Sequence, residues 1–387
     1  MLIGVDGNEA NVEKRVGIGE YALELLRQFE KFEIRNRPEG TRFEIYLKAS
    51  PLSHMPKERE GWKYIIFGPK LLWTQFALPL KLFTQTNKPD VFFSPSHYAP
   101  RFSPVPTVIS IMDLSFIHYP YMFTKKDLRQ LRSWTSYSAR QASVIFTISD
   151  ASKNDIIKEY KLASDKVVVT HLGIKQKEDK NIVKNIREKY DITSDFILFV
   201  GTIQPRKNLM RLIDAFSRIV SNKNQINSNE LDKNSKNSRN LRLVIVGKKG
   251  WQYEEILDAP KKFNVEERVL FLDFVPDEDL IALYKEAACF VLPSLYEGFG
   301  LPILEAMKYG CPVITSNVSS MPEAGGDAAL YVNPEDVEDI AKKIESLLDN
   351  DSLRRELIEK GYKQIKKFSW EKTARETLDA LGKIASK

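Results

Sequence analysis

Residues 196–221 read FILFVGTIQPRKNLMRLIDAFSRIVS. The first five residues form an unbroken apolar run, which is typical of a parallel strand buried on both faces. From Leu209 onward the apolar residues recur with the period of a helix. The segment therefore predicts a strand, a short loop and a helix that packs back on the sheet.

The same alternation of strand and helix extends through the chain in both directions. Apolar runs predict strands at 1–6, 91–94, 107–112, 143–148, 167–171, 196–200, 241–246, 269–271, 289–292 and 313–315. Helical periodicity occurs at 20–31, 127–141, 209–221 and 334–349. This pattern predicts an α/β fold with two doubly wound, parallel-sheet (Rossmann-like) domains. Because ligands bind beyond the carboxyl ends of such strands, we expect the domains to face a central cleft.

The domain boundary is predicted in the charged stretch that begins KQKEDKN at Lys175. Ser369 is a candidate N-cap of a final helix, which we expect to pack back on the N-terminal domain. We therefore expect an N-terminal domain, a linker, a C-terminal domain and a C-terminal helix at 1–175, 176–194, 195–367 and 368–387. Residues 221–240 are dominated by Asn, Ser and Lys and predict a mobile surface insertion.

Composition limits what the chain can do. Its 58 Lys and Arg against 52 Asp and Glu leave a net charge of +6, too small to indicate nucleic-acid binding. Cys289 and Cys311 lack metal-ligand spacing, which argues against a zinc site and favours a reducing compartment. The sequence has neither a signal-like start nor a run of about 18 apolar residues. We therefore expect a cytoplasmic protein.

Two cations in the opening segment are candidate anion ligands. Arg206 and Lys207 come directly before a predicted helix, whose free N–H groups and dipole also favour negative charge. Arg grips phosphate oxygens with a bidentate fork, and Lys acts as a point charge. The pair therefore suits a diphosphate, although a solvated Arg-Lys pair is an equally open interpretation.

A second candidate site lies in SLYEGFGLPILEAM, residues 294–307. Pro302 predicts a helix start, with Gly298 and Gly300 just before it, where a ligand can approach the backbone closely. Glu297 in the loop and Glu305 about one turn into the helix could both face that ligand and accept hydroxyl hydrogen bonds. Taken singly, each could also be an ordinary turn or surface residue.

A third glycine-containing segment lies near the N-terminus. In VDGNEANVEKRVGIGEY, residues 5–21, Gly17 and Gly19 directly precede a helical pattern and could form a glycine lip over a phosphate. The segment does not match G-x-G-x-x-G, and no acid follows at the spacing that a nicotinamide site needs. A nicotinamide oxidoreductase is therefore disfavoured, and a plain loop leading into a helix stays open.

Residues 70–82, KLLWTQFALPLKL, are apolar with lysines at both ends. Lys125, Arg129 and Arg132 lie near one face of a later predicted helix. Together these segments could touch an anionic membrane surface, so peripheral contact with the inner face of a membrane is one expectation. A core helix and a solvated helix face are the competing interpretations.

The chain resembles the family 4 glycosyltransferases, retaining enzymes of the GT-B fold that use sugar nucleotides, and in particular their mannosyltransferase-like (group 1) members. Glu297 and Glu305 stand at the family's E-x7-E spacing inside PSLYEGFGLPILEAM, and RKNL after VGTI matches its diphosphate loop. Further matching stretches are VIVGKKGW at 244–251, FVPDEDL at 274–280 and PVITSNVSSMPE at 312–323.

The resemblance implies that the C-terminal domain binds the nucleotide sugar, with Glu305 on the ribose and Arg206 and Lys207 on the diphosphate. It places the donor sugar against Glu297 and the backbone of Gly298, Phe299, Gly300 and Leu301. It places the base near Gly247, Phe274 and Val275. The N-terminal domain would hold the acceptor, with Gly17 and Gly19 closing on the donor, and the family needs no metal.

One position departs from the family pattern. Relatives commonly carry a histidine in I-H-D-L, where this chain has Met112 followed by Asp113. A thioether cannot donate a hydrogen bond, so contacts with the donor sugar are in question. His97 and His118 are nearby in sequence and could compensate, or could be structural.

The resemblance implies a hexosyltransferase that acts in polysaccharide biosynthesis. Mannose is the favoured sugar and GDP-mannose the favoured donor, with a UDP-sugar open, and the expected acceptor is a glycan or a lipid-linked saccharide. The alternatives are an inactive sugar-nucleotide-binding protein and a sugar-nucleotide epimerase of the GT-B fold.

Overall fold

The computed structural model describes residues 1–15, 17–35, 40–175, 183, 185–225 and 240–386. The chain divides into two compact units. The first unit contains Met1–Gly173 together with Phe368–Lys387, and the second contains Ile174–Lys367.

The first unit is built on a seven-stranded parallel sheet with the order β3-β2-β1-β4-β5-β6-β7. Its strands are β1 (Leu2–Asp6), β2 (Arg42–Leu47), β3 (Trp62–Ile66), β4 (Val91–Ser94), β5 (Thr107–Ser110), β6 (Val144–Thr147) and β7 (Val167–Val169). The helices between them are α1 (Gly17–Arg35), α2 (Ala77–Thr84), α3 (Ser115–His118), α4 (Lys125–Gln141) and α5 (Asp150–Tyr160). All residues of β1, β4 and β5 are buried, as their apolar runs predict.

The second unit repeats this architecture with a six-stranded parallel sheet in the order β10-β9-β8-β11-β12-β13. Its strands are β8 (Phe196–Val200), β9 (Arg242–Val246), β10 (Val269–Leu272), β11 (Cys289–Leu292), β12 (Val313–Ser316) and β13 (Ala329–Val332). Its helices are α6 (Ile186–Lys189), α7 (Leu209–Gln225), α8 (Glu254–Lys262), α9 (Asp277–Glu286), α10 (Leu301–Lys308), α11 (Met321–Gly325), α12 (Val337–Leu348) and α13 (Asp351–Gln364). The strand order reverses direction beside β8, which places a topological switch point between β8 and β11.

The last helix, α14 (Trp370–Ala385), belongs to the first unit. Ser369 is its N-cap and accepts a hydrogen bond from the Lys372 N–H at 3.1 Å, so the predicted cap is confirmed. Thr373 anchors the same end of the helix by donating its hydroxyl to the His171 carbonyl at 2.5 Å. Along its length the helix contacts α1 and β4.

Two predicted segments differ from the structure. Residues 221–225 continue helix α7 instead of starting a loop, and the rest of the predicted insertion, 226–239, lies outside the described residues. Residues 185–194, expected in the linker, belong to the second unit. There the Arg187 guanidinium donates to Glu286 at 2.8 Å, because α6 packs beside α9. Residues 176–182 and 184 are not among the described residues.

Among the described helices, each is too short or too polar to cross a membrane. Cys289 and Cys311 are both buried thiols. Burial raises the pKa of the Cys289 thiol to about 12, so it stays protonated at neutral pH.

Candidate functional site

The loops after β8 and β9 are held together at the carboxyl edge of the second sheet. The Gly201 N–H donates to the Val246 carbonyl at 2.9 Å, and the Ile203 N–H donates to the Lys248 carbonyl at 2.9 Å. Gly247 has φ +156°, and a Cβ on it would lie 1.9 Å from the Gly201 carbonyl oxygen. Only glycine fits such a close approach of two backbones, so Gly247 fixes the shape of this edge.

The turn that follows Gly201 positions the two candidate cations. Pro205–Lys207 form a short 3₁₀ turn, and Asn208 then adopts a left-handed conformation with φ +62°. The Asn208 side-chain amide donates to the Pro293 carbonyl at 2.9 Å and to the Pro334 carbonyl at 2.6 Å. The first bond ties the turn to the loop after β11, the neighbour of β8 in the sheet, and the second ties it to the loop after β13.

Arg206, Lys207 and Glu297 meet at this edge. Lys207 Nζ donates to Glu297 Oε1 at 2.5 Å, and Arg206 donates to Glu297 Oε2 at 3.1 Å. Lys207 and Glu297 are only 8% and 7% exposed. Arg206 also donates to the Tyr296 carbonyl. Sequence reasoning predicts that Glu297 faces a ligand's hydroxyls, whereas the structure shows it bonded to the two cations.

Glu297 is held in its ionised form. Burial alone would raise the pKa of its carboxyl, but the adjacent Lys207 and Arg206 charges and hydrogen bonds from Lys207 and Ser294 lower it to about 2. The Ser294 hydroxyl donates to Glu297 Oε1 at 2.7 Å. Ser294 is a site residue that the sequence analysis missed, although it stands three residues before Glu297 in the chain.

Serines also fix the backbone of Glu297. The hydroxyls of Ser319 and Ser320 donate to the Glu297 carbonyl at 2.7 and 2.8 Å. Both serines lie in the loop between β12 and α11, within the predicted PVITSNVSSMPE stretch. The carboxylate is therefore oriented from two loops, so the pair of cations around it is preorganised.

The glycine loop leads from this cluster into α10. Gly300 is the N-cap of α10 with φ +95°, a left-handed conformation that favours glycine. Gly298, Phe299 and Gly300 are buried, and Leu301 begins the helix. The positive end of the α10 dipole thus follows Glu297 by a few residues, which adds to the attraction for an anion.

Glu305 lies one turn into α10 and is half-buried. The Tyr284 hydroxyl donates to Glu305 Oε2 at 3.3 Å. Burial, followed by the nearby Glu305 charge, raises the pKa of Tyr284 well above its ordinary value, so this phenol stays a donor. Glu305 and Tyr284, with Lys308 and others, line a narrow recess.

An exposed aromatic residue stands beyond β10. The Phe274 ring is 69% exposed, and Lys248 Nζ lies 4.9 Å from its centroid. The next residue, Val275, is buried and anchors the loop. Lys248 is a further residue that the sequence analysis missed. It follows Gly247 directly after the end of β9, and this position could have indicated that it lies at the site.

In the first unit, Asp113 follows β5 and lies just before the short helix α3. Its Oδ1 accepts the Ser115 N–H at 2.8 Å. His97 is half-buried, and desolvation of its ring lowers its pKa to about 4 despite the opposing effect of the Asp113 charge. His97 is therefore neutral at pH 7. His118 instead pairs with Asp155 at 2.9 Å, and Met112 is half-buried beside Asp113.

Gly17 and Gly19 lie inside the first turn of α1, which begins at Gly17, and not in a loop before it. Gly17 has φ +37° and open space where a Cβ would stand. A Cβ on Gly19 would lie 2.8 Å from the Glu9 carbonyl oxygen. The small size of Gly19 is therefore explained by this close approach of the 7–15 loop.

Comparison with known proteins identifies relatives of this chain. Residues 182–364 match the family model described as glycosyl transferases group 1. The chain is 32% identical over 297 residues to O-antigen chain mannosyltransferase B of Escherichia coli, covering 76% of this chain and 74% of that protein.

Two solved structures share the fold over nearly the whole chain. Sucrose-phosphate synthase from Thermosynechococcus elongatus has a TM-score of 0.70 at 18% identity, covering 100% of this chain and 99% of that one. Anabaena HepE in complex with UDP-glucose has a TM-score of 0.69 at 16% identity, covering 98% and 99%.

Two parallel-sheet Rossmann-like units with these structural neighbours define a GT-B glycosyltransferase, which confirms the predicted fold class. The chain belongs to the glycosyl transferases group 1. The family resemblance inferred from the motifs is therefore confirmed, and with it the prediction of a hexosyltransferase.

Proposed function

We propose that this enzyme moves a hexose, mannose by preference, from a nucleotide sugar to a glycan or lipid-linked acceptor with retention of anomeric configuration and without a metal. The observation that carries the proposal is the buried cluster of Arg206, Lys207 and Glu297 at the carboxyl edge of the second sheet. Two cations around one carboxylate leave a net positive charge, which a diphosphate would complement.

The chemical task is to stabilise the negative charge that grows on the departing nucleotide. Arg206 and Lys207 would donate to the diphosphate oxygens, and the α10 dipole would add to them. These fixed cations supply the charge that a divalent metal supplies in other transferases, which supports metal independence. Glu297 would hold both cations in place while its neighbours, the backbone of Gly298, Phe299, Gly300 and Leu301, meet the donor sugar.

The nucleoside would bind along the same edge. Glu305, whose Oε2 accepts the Tyr284 hydroxyl, would accept the ribose hydroxyls. The exposed Phe274 ring, with Val275 and Gly247, would receive the base, and Lys248 could donate to a base carbonyl. The likeness to the HepE structure with bound UDP-glucose supports a nucleotide-sugar donor. The mannosyltransferase relative favours GDP-mannose over a UDP-sugar.

The first unit would bind the acceptor. Because Gly17 and Gly19 have no side chains, the backbone at these positions would be able to approach the donor closely. Asp113 would accept a hydrogen bond from a substrate hydroxyl. Met112, the residue beside it, cannot donate a hydrogen bond. Proton removal from the acceptor would fall to the departing phosphate, in line with a front-face retaining mechanism of the family.

The test is a transfer assay with purified protein, GDP-mannose or UDP-glucose, and a set of mannosyl and lipid-linked acceptors. We expect turnover with GDP-mannose that survives EDTA, and a product whose NMR spectrum shows the α configuration of the donor. Binding without transfer to any acceptor would instead assign an inactive binding protein. Conversion of the donor to its epimer without an acceptor would assign an epimerase.

A further inference from the structure

A group of large apolar side chains is exposed on the first unit, in the turn before α2, along α2 and in the 101–103 loop. We call this group the apolar face; its members are Leu71, Leu72, Phe76, Leu80, Phe83 and Phe102. Leu71 and Phe102 are 80% and 74% exposed. Leu80 and Phe83 lie three residues apart on one side of α2, and Phe76 is the residue just before the helix.

The exposure is built into the fold. Trp73 is buried, and its indole N–H donates to the Phe67 carbonyl at 3.2 Å. On the inner side of α2, Leu78 and Leu82 pack in a core cluster with Trp73. Helix α2 is therefore apolar on both sides, and only the inner side has a partner within the described part of the first unit. An outer apolar side on a well-anchored helix indicates an interaction surface.

Phe102 is linked to the same surface. Arg101 Nε donates to the buried Gln75 side chain at 2.6 Å, directly beside Phe76. The Arg101 guanidinium lies 5.0 Å from the Tyr137 ring centroid, and the Phe102 N–H donates to the Tyr137 hydroxyl at 3.0 Å. The 101–103 loop is therefore fixed next to the turn that carries Phe76.

The charged side chains of the segment that carries most of the apolar face are all cationic. Residues 61–89 contain Lys63, Lys70, Lys81 and Lys88 and no Asp or Glu, and Arg101 follows. Cations next to exposed apolar side chains complement the anionic headgroups and the acyl chains of a lipid surface. A symmetric dimer through this face would instead bring like charges together.

Helix α4 contributes less to this surface than the cations in its sequence suggest. Arg132 shares a recess with Glu159 and Tyr160 of α5, and Tyr137 is the α4 residue that contacts Phe102. Lys70, Lys81 and Arg101 are instead the cations adjacent in the chain to members of the apolar face.

We propose that the apolar face docks the enzyme on an anionic membrane surface, with Leu71, Phe76, Leu80, Phe83 and Phe102 entering the headgroup and acyl boundary and Lys70 and Lys81 meeting the headgroups. This proposal rests on the first unit alone and does not depend on the identity of the donor sugar.

The test is flotation of the purified full-length protein with phosphatidylcholine vesicles, with and without one quarter phosphatidylglycerol. We expect binding to the anionic vesicles at least tenfold stronger than to the neutral ones. The double variant Phe76→Ser/Leu80→Ser should lower binding to anionic vesicles at least tenfold. Tyr121→Ser removes a similarly exposed aromatic outside the apolar face and should bind like the wild type.

A second variant separates charge from folding. Lys70→Glu/Lys81→Glu changes two surface side chains and should abolish the preference for anionic vesicles while leaving the melting temperature unchanged. Wild-type protein that does not bind anionic vesicles, or equal binding by all variants, would overturn the proposal. So would a dimer in analytical ultracentrifugation that only the Phe76→Ser/Leu80→Ser variant dissociates, since the face would then bind a second copy. Transfer to a soluble acceptor should be unaffected by these variants, which separates this proposal from that of the donor site.

Discussion

Lys207 shows how burial changes the work of a charged side chain. On the surface it would add little, because water screens exposed ion pairs. At 8% exposure, its ammonium and the Glu297 carboxylate interact in a medium of low polarity, where each position is fixed. Such a preorganised cation can stabilise charge that develops during a reaction without first reorganising.

We predict that Lys207→Met lowers kcat/KM for the nucleotide sugar about tenfold to a hundredfold. A charge-assisted hydrogen bond contributes about 1.5–3 kcal/mol, and about 1.4 kcal/mol corresponds to a factor of ten. The measurement is steady-state kinetics below the melting temperature of the variant.

Lys342→Met is the matched control, since Lys342 is exposed and pairs with Glu338 at 3.6 Å. Lys207→Arg keeps the charge and should retain part of the activity. Equal kcat/KM for Lys207→Met and Lys342→Met would contradict the proposed role.

The sequence predicted which residues lie at the site, but not which of them contact one another. The RKNL and E-x7-E motifs placed Arg206, Lys207 and Glu297 at one sheet edge, because the strands before them are neighbours. That Glu297 bonds both cations depends on Ser294, Ser319 and Ser320, whose orientation no spacing reveals. Met112 beside Asp113 is also visible in the sequence, but its consequence depends on the bound sugar.

At the scale of elements, continuous apolar runs identified the strands that are buried on both faces. Three strands, β2, β3 and β13, were missed. Charged residues interrupt the runs of β2 and β3, whereas Ala329–Val332 is a short apolar run that was not recognised as a strand. In β2, Glu44 interrupts the run, yet it is tolerated because Tyr46 and Gln85 donate to its carboxylate at 2.8 and 2.9 Å. Strand β3 lies at the sheet edge, where Lys63 and Ile66 are exposed.

The loop after β9 provides a prediction about an element. Gly247→Ala should disrupt the contact between the β8 and β9 loops, because its Cβ would lie 1.9 Å from the Gly201 carbonyl oxygen. We expect loss of nucleotide binding and a lower melting temperature, measured by calorimetry with and without GDP.

Gly382→Ala in α14 is the matched control. A Cβ there has no neighbour within 4 Å, so the exchange should stabilise the helix by about 0.5–1 kcal/mol. If Gly247→Ala melts and binds GDP like the wild type, the close approach of the two loops does not matter.

At the scale of the whole molecule, the sequence indicated two Rossmann-like halves and a last helix capped by Ser369. The structure places this helix in the first unit with Met1–Gly173, so the chain ends in the unit where it began. The start of the second unit at Ile174 was harder to predict, since the charges of 175–181 suggest a linker and the contacts of Arg187 lie far away in sequence.

The stability of the molecule should depend on pH through Glu297. Its folded pKa of about 2 lies below the ordinary 4.5, so its stabilising effect is complete above pH 4.5 and is lost as pH falls towards 2. Glu297→Gln leaves two buried cations without their carboxylate and should be less stable at pH 7. In urea unfolding, the difference in free energy of unfolding between wild type and Glu297→Gln should shrink below pH 4.5. A difference that stays constant from pH 7 to pH 3 would show that the carboxylate is not stabilised by these cations.

The most direct test of the donor site is a crystal structure of the enzyme soaked with GDP-mannose. The account predicts diphosphate oxygens within about 3 Å of Arg206 and Lys207, with the ribose hydroxyls on Glu305. Nucleotide density elsewhere on the molecule, with Arg206 and Lys207 still bonded to Glu297, would contradict it.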